Sequence, residues 1–124
     1  ETTKFIAELN KRFKDKKNIF WVIVSKKHNQ IIGTIGYQNF NNNFSYAEIG
    51  YELHPDNHKK GYMNESCKAV LNFGLDSMNL ETIEAFTHKD NEASKALLKK
   101  NQFVFQVERR EDGFENNRIF KLKK

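Results

Sequence analysis

The sequence predicts a mixed α/β domain on a largely antiparallel sheet, and three observations carry that prediction. In residues 46–53, Ala47, Ile49, Tyr51 and Leu53 alternate with Tyr46, Glu48, Gly50 and Glu52, the period-2 signature of a strand with one apolar face. Met63, Cys67, Val70, Leu71, Gly74 and Met78 then recur at spacings of three and four, which describes a helix beginning at or near Gly61. Between the two lies His54-Pro55-Asp56-Asn57-His58-Lys59-Lys60, a basic turn that contains the only proline of the chain. Backbone N–H groups without helical partners converge there beside the positive end of the helix dipole, so the turn can cradle a phosphate. Taken by itself, it reads equally well as an ordinary strand-to-helix connection.

The remaining elements follow in chain order. Phe5, Ile6, Leu9 and Phe13 share one side of a helical pattern, which predicts an amphipathic first helix closed at Asn18. Residues 19–24 are continuously apolar, β-branched or aromatic, as expected of a central strand covered on both faces. A polar turn at 26–29 leads to a second strand over 30–40, loosened at Gly33 and Gly36. Asn41-Asn42-Asn43 then makes a tight connection to the strand at 46–53, completing an antiparallel meander. After the long helix, residues 82–87 form a fourth strand, which the helical crossover makes a parallel neighbour of the third. Asn91 caps a short helix containing Ala93, Ala96 and Leu97, with Lys99 and Lys100 at its negative end and Asn101 as a left-handed exit. Two final strands, 103–107 and 118–122, flank the hairpin signal Asp112-Gly113.

Composition narrows the classes of function. The 124 residues, 38% hydrophobic, suit one domain with a modest core, to which eleven Phe, four Tyr and one Trp contribute. A net charge of +5 favours anionic ligands without requiring nucleic acid. The single cysteine, Cys67, falls on the apolar side of the helix and is expected to be buried, which excludes a disulfide framework and fits a reducing compartment. No run approaches the ~20 apolar residues of a membrane span, and the amino terminus has no signal-peptide core, so a cytoplasmic, membrane-free protein is expected. His54 and His58 have i, i+4 spacing, but Pro55 between them breaks the shared helical face and no metal is expected.

Together these motifs resemble the GNAT superfamily of N-acetyltransferases, in particular the branch containing the ribosomal-protein-alanine acetyltransferases. His58-Lys59-Lys60-Gly61-Tyr62-Met63 is similar to the family's pyrophosphate motif, R/Q-x-x-G-x-G/A, and follows an aliphatic-x-Pro element at Leu53-His54-Pro55. Asn91-Glu92-Ala93-Ser94 with Asn101-Gln102-Phe103 is similar to the family's N-x-x-S helix and closing G-F. The resemblance implies helices on both faces of the sheet and a fourth and fifth strand that splay apart to admit pantetheine. It also implies a single domain over 1–124 that lacks the family's usual first strand and helix.

The reaction implied is direct attack of an amine on the thioester of acetyl-CoA, the co-substrate, giving an amide and free CoA. Leu53, His54, His58, Lys59, Lys60, Gly61, Tyr62, Met63, Asn91 and Ser94 would bind the cofactor, with backbone N–H groups of 59–63 on the pyrophosphate and Lys59 or Lys60 near the 3′-phosphate. Glu48 is the expected base, with Glu52 second, and a solvated surface carboxylate is the plain alternative for both. A backbone N–H near Leu53 would stabilise the oxyanion, and Ser94 would hydrogen-bond the departing thiolate. The chain departs from the family pattern at three places. Leu98 stands where many members carry a tyrosine as general acid, Met63 replaces a small residue, and His58 replaces arginine or glutamine.

The acceptor could be a protein N-terminus or a small-molecule amine, and the protein a monomer or a homodimer. Two other readings stay open: an acetyl-CoA-binding sensor without turnover, and a basic RNA-binding domain. The second is disfavoured because Lys60-Gly61-Tyr62 opens a helix and the lysines are interleaved with acids.

Overall fold

The computed structural model describes residues 4–8, 18–25, 30–53 and 62–124. In chain order these form β1 (Lys4–Glu8), β2 (Asn18–Ser25), β3 (Gln30–Gln38), β4 (Tyr46–Leu53), α1 (Tyr62–Asn72) with a π-helical continuation (Phe73–Ser77), β5 (Thr82–His88), α2 (Glu92–Lys100), β6 (Val104–Phe105) and β7 (Asn117–Lys123). The strands make one sheet in the order β1-β2-β3-β4-β5-β7-β6. The expected meander is β2, β3 and β4, and β4 and β5 are the expected parallel neighbours.

Residues 4–8 overturn the first part of the predicted amino-terminal helix. Phe5-Ile6-Ala7 is a short apolar run that suits either period. Antiparallel pairing with β2, from Lys4↔Ser25 to Glu8↔Trp21, decides for a strand because it supplies the backbone partners. Leu9 and Phe13 of that predicted helix lie outside the described residues. With β1 outside it, β2 is next to the sheet edge and not central. Its Ile23 and Ser25 are buried, whereas Ile19, Phe20 and Val22 are only partly covered. Nor does Gly36 loosen β3, which runs through it unbroken. A Cβ at Gly36 would strike the backbone of Ile19 and Phe20, so the bare α-carbon is what lets β2 and β3 approach there.

The core forms on the face of Ile35, Tyr37, Ala47, Ile49, Ile83, Ala85 and Phe120. Both described helices lie on this face. Tyr37 donates its hydroxyl to the Val70 carbonyl at 2.7 Å, and its ring passes so close to Gly74 that a Cβ there would collide with it. The carbonyl of Val70 thus has a partner from outside the helix where α1 loosens into its π-helical turn. Asn101 ties α2 to α1, donating to Asn64 Oδ1 at 3.0 Å and accepting from Lys68 Nζ at 3.3 Å.

The end of α2 differs from expectation in a way those bonds explain. Asn101 is buried and stays right-handed at φ −99°, and Gln102 takes the left-handed position at φ 74°. The N–H of Gln102 then reaches the Lys99 carbonyl at 3.1 Å and that of Phe103 the Leu98 carbonyl at 3.0 Å, the two bonds of a Schellman motif, with Phe103 and Leu98 packed in the core. A side chain other than glycine is strained at this position by about 1 kcal/mol. Gln102→Gly is therefore expected to raise stability by up to about 1 kcal/mol, read as a higher urea midpoint with an unchanged slope.

The last hairpin is less regular than its sequence suggests. Gly113 turns at φ 84° between an isolated bridge pairing Glu111 with Phe114, and β6 contributes only two rungs to β7. The irregular chain between β6 and β7 carries Arg109 back to the sheet.

Candidate active site

Three rungs join β4 to β5, namely Tyr46↔Thr82, Ala47↔Ile83 and Glu48↔Glu84. Past the last rung β4 runs on to Leu53 beside β3, and β5 runs on to His88 beside β7. The sheet therefore opens between Glu48 and Glu84, and the facing backbone edges have no strand partner in the gap among the described residues. Such an opening exposes unpaired N–H and C=O groups in the interior of a sheet, where a ligand can take them up.

Alternation along β4 gives the opening two unlike sides. On the helix side stand Tyr51 and Ser94. Asn91 caps α2 by accepting from the Ser94 N–H at 3.0 Å, which fixes the first turn of the helix beside the gap. Ser94 is buried, and its Oγ lies 2.6 Å from the hydroxyl of Tyr51. Burial pushes the Tyr51 phenol up to about 12, so it keeps its proton at neutral pH. Leu98, one turn beyond Ser94, is fully buried in the core and brings no polar group to the site. Cys67 is also fully buried, its thiol raised to about 12 by burial, which leaves no nucleophilic thiolate.

The opposite side is polar and carries charge. Glu48, at the last rung, is partly buried and accepts from Asn39 Nδ2 at 2.9 Å. Asn39 has φ 54°, and that left-handed turn at the end of β3 carries its side chain to the carboxylate. The neighbouring Glu84 is held by Arg109 through two bonds, Nη1 to Oε2 at 2.5 Å and Nη2 to Oε1 at 3.2 Å, and by the Tyr46 hydroxyl at 2.8 Å. Burial raises the Glu84 carboxyl, but the bonds from Arg109 and Tyr46 outweigh it and hold the group below the usual carboxylate range. Arg109 thus neutralises one of two adjacent carboxylates and leaves Glu48 as the one without a cation among its described hydrogen-bond partners. Glu52 lies on the same side of β4 and is exposed.

Of the residues singled out in the sequence, Glu48 lies at the last rung on the polar side, Asn91 and Ser94 lie at the start of α2 on the other side, and Leu53 ends β4. Tyr62 is buried at the start of α1, and the partly buried Met63 packs against the core. His54, His58, Lys59, Lys60 and Gly61 lie outside the described residues. Tyr51, Asn39, Tyr46, Glu84 and Arg109 enter the site only through the folded structure. The alternation of β4 puts Tyr51 on the apolar face, which is where it lies, but the partner of its hydroxyl, Ser94, belongs to α2. Glu84 had a readable signal, a lone acid inside a strand in parallel register with Glu48.

The model of the acetyltransferase (GNAT) domain matches residues 1–104. The chain belongs to the GNAT family. It is 35% identical over 91 residues to the uncharacterized N-acetyltransferase YoaA of Bacillus subtilis, a match covering 73% of this chain and 51% of the relative. To the uncharacterized N-acetyltransferase p20 of Bacillus licheniformis it is 36% identical over 91 residues, covering 73% and 49%. The chain thus matches about half the length of these curated relatives. Among solved structures, the ribosomal-protein-S5-alanine acetyltransferase of Vibrio fischeri superposes with a TM-score of 0.76 at 25% identity, over 89% of this chain and 63% of the other. The spermidine/spermine N-acetyltransferase SpeG of Vibrio cholerae shares the fold, with a TM-score of 0.76 at 17% identity over 90% of this chain and 67% of that one. The GNAT fold and the mixed sheet implied by the motifs agree with these likenesses. No described helix is long and apolar enough to cross a membrane. No group of three or more His, Cys, Asp or Glu among the described residues could hold a metal ion.

Proposed function

We propose that this GNAT chain moves an acetyl group from acetyl-CoA to a primary amine, with the opening between β4 and β5 as the meeting place of the two substrates. One observation carries the reading: the parallel ladder ends at Glu48↔Glu84, with hydroxyl groups on one side of the gap and a carboxylate on the other. That arrangement fits a thioester reached from the helix side. The freed β4 edge up to Leu53 and the first turn of α2 at Asn91 and Ser94 would hold pantetheine there. The turn containing His54, His58, Lys59, Lys60 and Gly61, together with the N–H groups of Tyr62 and Met63, would hold the pyrophosphate. Acetyl-CoA supplies the activated acyl carbon.

The protein's own groups would do the rest. Glu48 takes the proton that keeps the amine from attacking, directly or through water, while Asn39 fixes its carboxylate. Ser94 offers its hydroxyl to the sulfur that leaves. A protein N-terminus and a small amine both suit the polar side, and the named activities of the Vibrio neighbours span both kinds of acceptor. A second reading, cofactor binding without turnover, is supported by the buried Leu98 where a general acid is common in the family.

Two measurements test the proposal. Acetyl-CoA is expected to raise the melting temperature of the full chain, and Gly61→Val to remove most of that rise, since a ligand present at about 100 times its Kd adds roughly 2.7 kcal/mol. Thiol release from acetyl-CoA over a panel of amines and peptides then separates transfer from binding alone. A folded chain without calorimetric affinity for acetyl-CoA would end both readings.

A further inference from the structure

We infer that Tyr51 is a positioning residue for Ser94: it donates its phenolic hydrogen to Ser94 Oγ and so turns the serine's own hydrogen into the opening between β4 and β5, toward a departing thiolate. The inference rests on the proposed transfer reaction and names the group that prepares its leaving step.

Three observations lead to it. Tyr51 and Ser94 are 43 positions apart, on β4 and α2, and their hydroxyl oxygens are 2.6 Å apart at the part of β4 where β5 has separated. A distance that short between two neutral hydroxyls means that one of them donates to the other. The phenol is the stronger acid and the aliphatic hydroxyl the better acceptor, so the favoured direction runs from tyrosine to serine. The serine's N–H is already committed to Asn91 Oδ1 at 3.0 Å, which holds the first turn of α2 still, and the side chain is buried. With its oxygen taken up by Tyr51, the serine hydroxyl is left with one hydrogen to give.

Magnitude decides between positioning and outright proton donation. A phenol at about 12 does not surrender its proton to a thiolate whose conjugate acid titrates near a reference thiol at ~8.5. Burial thus favours the neutral phenol, and the 2.6 Å contact assigns Tyr51 the role of polarising and orienting the Ser94 O–H. The fully buried Leu98 leaves the helix itself without a phenol, and the strand brings one from the other direction.

The test compares Tyr51→Phe, Ser94→Ala and the double variant, using CoA and desulfo-CoA as probes of the full chain. Ultraviolet difference spectra report the thiol pKa of bound CoA, and calorimetry reports its affinity relative to desulfo-CoA. In the native chain the bound thiol is expected to ionise more readily than free CoA. Tyr51→Phe and Ser94→Ala should each lose most of that effect, with no further loss in the double variant. In turnover, Tyr51→Phe should lower kcat about tenfold with KM for acetyl-CoA within about twofold, the worth of one hydrogen bond made to developing charge. The phenylalanine ring preserves the packing, and an unchanged melting temperature shows that it has done so. The inference is overturned if Tyr51→Phe leaves the bound thiol pKa and kcat at native values, or if its effect adds in full to that of Ser94→Ala. Absence of CoA binding to the native chain overturns the transfer reading together with this one. Native binding and turnover that are indifferent to Tyr51 overturn this inference alone.

Discussion

Glu48→Gln is expected to lower kcat for an amine acceptor about a hundredfold or more, while thermal stability and the affinity for CoA stay near native. The isosteric amide keeps a side-chain oxygen to accept from Asn39, so the local geometry survives. It cannot take a proton, and an amine that arrives as an ammonium ion then has no nearby base. The position of Glu48 makes the residue hard to replace. It occupies the last rung before the strands part, on the side of the sheet away from Ser94, and the neighbouring carboxylate of Glu84 is already bound to Arg109. Glu52 is exposed and two residues further along β4, so Glu52→Gln should change kcat by less than about threefold if Glu48 is the base. Thiol release followed across pH for the three proteins reads both effects. A native rate in Glu48→Gln removes the residue from the mechanism and leaves the binding-only reading standing.

Arg109→Ala should be among the most destabilising substitutions at the polar side of the site, costing about 1–3 kcal/mol at neutral pH, and the cost should shrink in acid. The asymmetry of the pair explains the choice of residue. The Glu84 side chain is 5% exposed and that of Arg109 44%. Removing the arginine leaves a buried carboxylate hydrogen-bonded by the Tyr46 hydroxyl and favoured only by the more distant charge of Lys121, whereas Glu84→Gln leaves a guanidinium that water can hydrate. Losing one partner of a fully buried pair costs about 3–5 kcal/mol, and the exposure of Arg109 brings solvent screening that lowers the figure.

The pH dependence follows from the direction of the Glu84 shift. A carboxyl held below its ordinary value adds stability above the usual carboxylate range and loses it as pH falls through the folded value. In Arg109→Ala, burial is opposed only by the Tyr46 hydrogen bond and the charge of Lys121 across the strand, so the carboxyl titrates higher and much of that stabilisation is lost. Once acid has protonated Glu84 in both proteins, the difference between them narrows. Urea denaturation in steps from neutral pH to about pH 3 would show the two curves converging, and a constant gap would mean that Arg109 stabilises by packing and not by charge.

Local signals carried most of the fold because they depend on neighbours in sequence. The alternation at 46–53, the three-and-four spacing from Met63 to Met78, the Asn91 cap and the parallel crossover were all readable as strings, and each appears in the structure. Glu48, Asn91 and Ser94 are candidates of the same local kind, picked out by strand alternation and by resemblance to the GNAT family's motifs. Where two periods fitted one short run, as at Phe5-Ile6-Ala7, the decision passed to the partner strand β2. The left-handed exit of α2 moved from Asn101 to Gln102 because Asn101 was wanted elsewhere, between Asn64 and Lys68. What the tertiary structure alone decided is the chemistry across the opening: that Tyr51 meets Ser94, that Asn39 holds Glu48, and that Arg109 occupies Glu84. Those pairs join residues 9 to 43 positions apart, and a hydrogen bond acts over about 3 Å, so only the folding of β4, β5 and α2 around one gap could bring them together.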